Sequence, residues 1–235
     1  MCDIPGVNET VIYDSLGGMI PRTGNQPLLT IQTDGHAILG DPYGTGRRIE
    51  QQLSPIQIQQ LLDFIIGQNG FFDIDAPAIQ LQIRKQQNTN GRIFSIADAG
   101  ESIIRVCSGK NQKEVKFYAL SHAAKQFPEI QVLQQLHAIE QELKRTASWI
   151  RMGGDKGANA ILAAANEHLM RNHPDIELLT LENLSTAVTG ADGKLTVYFS
   201  RRGFAEQGPH MRNISVIAYY PSGQNNKATI MVNLE

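Results

Sequence analysis

The chain has 235 residues, 41% of them hydrophobic and 19% charged, well clear of disordered composition and long enough for one large domain or two small ones. Lys and Arg number 21 against 23 Asp and Glu, and this net charge of −2 excludes a generic electrostatic nucleic-acid binder. The balance is also even along the chain: 13 basic against 15 acidic residues through Ile150, and 8 against 8 after it.

No run approaches the ~18 consecutive apolar residues of a membrane-spanning helix, so no transmembrane segment is expected. The opening MCDIPGVNET has neither the basic nor the apolar region of an intact signal peptide. The first elements read as β. Val11-Ile12-Tyr13 precedes a Gly17-Gly18 break, and the stretch 27–39 presents two apolar runs around Asp34-Gly35, a strong hairpin signal because the turn needs positive φ. A glycine-rich loop, GDPYGTG at 40–46, follows. Ser54-Pro55-Ile56-Gln57 then supplies an N-cap, a proline at the first helical position and a capping-box glutamine. Ile58, Leu61, Leu62, Ile65 and Ile66 continue it at helical spacing, with Gly67 or Gly70 as the stop.

Alternation of Ile79, Leu81 and Ile83, answered by Ile93 and Ser95, predicts a β-hairpin across 88–91. A second hairpin runs from Ile104 and Val106 through the turn 108–111 to Val115, Phe117 and Ala119. A helix over about 128–150 is traced by Ile130, Leu133, Leu136, Ile139, Leu143 and Ile150, and Gly153-Gly154 stops it. After that pair comes an alanine-rich helix over 158–172, with Ile161, Leu162, Ala165 and Leu169 inward. Strands are predicted at 176–188, 195–200, 214–220 and 228–234. The expected fold is α+β in two units, 1–152 and 153–235, each with an antiparallel sheet and packed helices. The C-terminal unit is a helix plus a four-strand meander.

Two resemblances accompany this pattern. Gly17-Gly18, the hairpin Leu29-Thr30-Ile31 with Asp34-Gly35, and the capped helix leading to Phe71-Phe72 make residues 10–150 resemble an uncharacterised bacterial domain family often found in lipoproteins. The helix laid over a sheet after Gly153-Gly154 makes 153–235 similar in shape to cystatins. The Gln-x-Val-x-Gly inhibitory pattern of that family is absent, the nearest stretch being Thr186-Ala187-Val188-Thr189-Gly190.

Cys2 and Cys107 are too few for a disulfide framework or a cysteine metal site, and at most form one bridge. Cys2 followed by a polar segment is compatible with the lipid-modified cysteine of a lipoprotein, an acyl chain that anchors without spanning. Nucleotide binding is not expected of the glycine-rich loop, because no P-loop lysine follows and the helix starts only near Pro55. Of the six histidines, His168 and His173 lie five apart and cannot share a helix face, so no metal site is assigned. Cys107 with His122 is the cysteine–histidine pair to weigh, but no neighbouring charge lowers the thiol pKa. Asp73 and Asp75 flank Ile74 as turn residues. No catalytic residue and no cofactor is therefore assigned. The best contact surface is the loop 200–213, where Arg201, Arg202, His210 and Arg212 gather around Phe204 and Met211, a mixture suited to a protein partner.

The expected function is a non-enzymatic binding or interaction module, bacterial, in the cell envelope or the cytoplasm. The alternatives are a hydrolase-like enzyme with a dispersed site between the two halves, marked by exposed Cys107, His122 or Asp98, and a cystatin-like protease inhibitor.

Overall fold

The computed structural model describes the chain apart from residues 1, 18–25, 42–47, 92–93, 173, 175–176, 191–194, 203–210, 220–228 and 235. Residues 90, 200–202, 211–219 and 229–234 are described by their backbone. The fold is α+β, and the chain divides into two compact units, Met1–Leu143 and Lys144–Glu235.

The first unit is built on a six-stranded antiparallel sheet. Its strands are β1 (Glu9–Gly17), β2 (Leu29–Gln32), β3 (His36–Leu39), β4 (Ile49–Gln52), β5 (Gly100–Ser108) and β6 (Asn111–Tyr118), in the order β4-β3-β2-β1-β5-β6. The expected Asp34-Gly35 turn joins β2 to β3, with Gly35 at φ +89°, a conformation that favours glycine. Alternation places Val11, Tyr13, Leu29, Ile31, Ala37, Leu39, Ile104, Val106, Val115 and Phe117 on one buried face. The opposite face carries the Arg105–Glu114–Lys116 ion pairs, and the Arg105 guanidinium holds the Glu114 carboxyl below its usual range.

Helix α1 (Pro55–Leu62) forms as its sequence predicts, since the Ser54 side chain accepts from the Gln57 amide while the Gln57 side chain accepts from the Ser54 amide. A π-helical turn over Asp63–Gln68 continues it. The predicted 79–95 hairpin is instead α2 (Ala76–Asn90), and its proposed partner Ile93 lies outside the described residues. Asp75 caps this helix by accepting from the Ala78 amide at 3.3 Å, and Ile79 and Ile83 are buried one turn apart while Leu81 is exposed. The long helix is preceded by a short one that the periodicity did not signal: α3 (Leu120–Gln126) comes before α4 (Gln131–Arg151).

The division between units falls within α4, ahead of the glycine pair expected to mark it. The second unit contains α5 (Gly154–Asn172) and the strands β7 (Leu184–Thr189), β8 (Leu195–Arg202), β9 (Met211–Tyr219) and β10 (Thr229–Leu234). The strands pair as an antiparallel meander, β10-β9-β8-β7. The expected strand over 176–188 is shorter, because the segment from Leu181 to Asn183 is a 3-10 turn before β7. Ala158, Ile161, Ala165 and Leu169 form the inward stripe of α5 and share a core with Leu184, Ala187, Leu195, Val197 and Phe199. Burying each larger aliphatic or aromatic side chain in that core stabilises the unit by roughly 1.5–3 kcal/mol before entropic costs.

Candidate functional site

The expected contact loop is shorter than the sequence suggested, because β8 and β9 continue pairing into it. Their ladder runs through Ser200↔Asn213 and Arg201↔Arg212 to Arg202↔Met211. Three of the assigned residues, Arg201, Arg202 and Arg212, therefore occupy strand positions at one end of the four-stranded sheet. Phe204 and His210 lie outside the described residues.

Cys2 and Cys107 form a disulfide with their Cα atoms 5.1 Å apart. The Asp3 amide also donates to the Gly109 carbonyl at 2.7 Å, so the chain's first residues are tied to the β5–β6 turn. One sulfur cannot hold both a thioether to lipid and a bond to Cys107, so the acylated form expected at Cys2 and the bridged form are exclusive chemical states. The bridge likewise consumes the Cys107 thiol, leaving no thiolate to act with His122, which is exposed on α3. Asp98 is exposed and sits at φ +59° in the approach to β5, where the Tyr118 hydroxyl donates to the Ile96 carbonyl and accepts from the Ala99 amide.

The most concentrated polar chemistry in the first unit was not assigned from sequence. Glu140, on α4, is only 2% exposed. Its carboxylate accepts from Ser121 Oγ at 2.9 Å, from Ser102 Oγ, and from the Tyr13 hydroxyl at 3.5 Å. Gln141 Nε2 lies 3.4 Å from the same carboxylate and 3.0 Å from His137 Nε2. Four elements thus converge on one charge: β1, β5, α3 and α4. A buried carboxylate is tolerated when hydrogen bonds replace its water, and three hydroxyls do that here. Burial first, and the Glu140 charge second, push the Tyr13 hydroxyl far above its ordinary pKa. Tyr13 and Ser102 are buried and spend their protons on the carboxylate, so the cluster orders packing and presents no activated nucleophile.

Elsewhere His36 Nε2 meets Glu50 Oε2 at 2.8 Å on the sheet surface, and Arg48 pairs with the same carboxylate. Among the described residues no group of three or more His, Cys, Asp or Glu side chains is placed to hold a metal ion. No helix among them is long and apolar enough to cross a membrane. Comparison with protein-family models, curated proteins and solved structures finds no match to the chain.

Proposed function

We propose that this protein is a non-enzymatic binding module of the bacterial cell envelope, contacting a protein partner through the arginine-bearing end of its four-stranded sheet. The observation that carries the reading is the β8–β9 register, which brings Arg201, Arg202 and Arg212 into two adjacent pairs beside the segment holding Phe204 and His210. Arginine with an aromatic neighbour supplies both charge-assisted hydrogen bonds and apolar contact area, the combination enriched where binding energy concentrates.

The Cys2–Cys107 bridge supports the compartment, since structural disulfides persist where the surroundings are oxidising. The resemblance of residues 10–150 to a lipoprotein-type domain points the same way. The test is affinity capture from an envelope extract with wild-type protein and with a variant carrying R201A, R202A, F204A and R212A. Wild-type protein should retain specific partners that the variant loses while its circular dichroism stays unchanged. Identical retention by both proteins would remove the reading.

A further inference from the structure

Residues 2–8 form a strap that reaches from β1 back to the β5–β6 turn. Cys2 runs parallel to Gly109, the Asp3 amide donates to the Gly109 carbonyl at 2.7 Å, and the Thr33 amide donates to the Asn8 carbonyl at 2.8 Å. Burial adds little: Asp3, Pro5, Gly6 and Asn8 are exposed, and Cys2, Ile4 and Val7 are half-buried. A chain terminus with so few buried groups frays at almost no cost unless it is tied down. The tie is the bond to Cys107, a residue that is itself buried in β5. Beside that bond lies a polar group with nothing to bond. Val11 pairs with Val106, so alternation brings the Thr10 side chain to the Cys107 side of the sheet, one step further along the β1–β5 ladder. Thr10 is 1% exposed, and its Oγ1 has no hydrogen-bond partner among the described residues. A buried hydroxyl left unpaired opposes whatever keeps water from it.

We infer that residues 2–8 are a redox-operated strap, closed over Thr10 and Cys107 by the disulfide and opened by a dithiol reductant. The thiolate of the reductant attacks the Cys2–Cys107 bond and forms a mixed disulfide, and its second thiol then displaces the protein sulfur. The protein bond takes up two electrons and two protons and becomes two thiols, while the reductant leaves as its own disulfide. With the bond gone, the backbone contacts at Gly109 and Thr33 are what remains to hold the strap, and the Thr10 hydroxyl gains water when the strap lifts. Opening also presents the Cys107 thiol, which the closed form keeps from solvent. The sheet beneath does not depend on the strap for its pairing, since β1 runs between β2 and β5 from Val11 onward. The inference concerns the first unit and does not rest on the contact surface proposed for the second.

The test follows amide hydrogen exchange of the full chain, with and without dithiothreitol, at a temperature well below thermal unfolding. Reduction should speed exchange over 3–8 by about tenfold or more, while β1 from Val11, β5 and β6 keep their protection. Iodoacetamide should then label Cys107 in the folded, reduced protein, and C2S should show the open pattern without reductant. A second measurement addresses Thr10. In a fixed glutathione buffer, T10V should raise the ratio of bridged to dithiol protein by about fivefold or more, because the methyl group has no hydrogen bond to lose when the strap closes. Unchanged exchange over 3–8 after complete reduction would mean that packing holds the strap, and would overturn the inference. Loss of protection throughout Met1–Leu143 would do the same, by making the bridge a staple of the whole unit. An unaltered ratio in T10V would show that the strap does not cover the hydroxyl, and would remove the closure over Thr10.

Discussion

Glu140 sits where an amphipathic helix would ordinarily carry leucine. Leu133, Leu136, Glu140 and Leu143 follow one another at three- and four-residue spacing, so the buried position was visible in the sequence even though its residue type suggested solvent. What the sequence did not carry was the identity of its partners, which come from strands and a helix up to 127 residues away. The charge has a measurable consequence at Tyr13. Burial and the Glu140 carboxylate hold the phenol neutral in the fold, whereas the unfolded chain releases that proton near pH 10. The folded state therefore binds more protons above that pH. This contribution to stability is complete below pH 10 and is lost as the pH rises beyond it, by up to about 1.4 kcal/mol per pH unit. Y13F should remove that slope; it also takes one of the three hydroxyl donors from the buried Glu140 carboxylate, and because that contact is long at 3.5 Å the loss at neutral pH should be about 1 kcal/mol. Denaturant unfolding of both proteins at pH 8, 10 and 11 checks this. Parallel losses in the two would show that other groups govern alkaline stability.

Legibility among the elements followed how much of each signal was local. The cap of α1 was readable because Ser54, Pro55 and Gln57 carry all its chemistry within four residues, and the strands after Gly193 were readable from β-branched and aromatic runs. Helix α2 was misread because Ile79, Leu81 and Ile83 satisfy two-residue alternation while Ile79 and Ile83 also satisfy a helical turn. Asp75 with Pro77 was the deciding signal, an N-cap followed by a first-turn proline. No local signal announces α3, whose chain enters through Ala119 at φ +55°, an unusual conformation for alanine. The edge of β7 depends on a contact no local pattern encodes. Its strand contains no charge or proline, the usual guards of a free edge. Instead the Ala187 amide donates to Ser148 Oγ at 2.9 Å, and Arg151 donates to the Ala187 carbonyl at 2.6 Å. S148A leaves a buried amide without a partner and should destabilise the second unit by about 1–3 kcal/mol. Trp149, the chain's one tryptophan, bonds Asp155 through Nε1 within that unit and reports its unfolding by fluorescence. An unchanged midpoint in S148A would mean that water replaces the serine at the edge.

At the scale of the whole molecule, the two units differ in what holds them together. The first contains both cysteines and closes a bridge across a sequence separation of 105, while the second relies on its α5–sheet core. Cross-linking residues that far apart removes many conformations from the unfolded chain, worth about 4.7 kcal/mol for a loop of ~100 residues in the chain-entropy model. Such a contribution is comparable to the total stability of an ordinary domain. Reduction, or C2S, should therefore lower the stability of Met1–Leu143 sharply while the Trp149 signal of Lys144–Glu235 keeps its midpoint. A circular-dichroism melt should split under reductant into an early transition silent to tryptophan and a later one that tryptophan follows. Alkylation of the denatured, unreduced protein fixes the starting state, because no label should enter if the bridge is intact. A single transition displaced equally in both signals would mean that the bridge stabilises the chain as one cooperative body, and that its division into two units does not extend to unfolding.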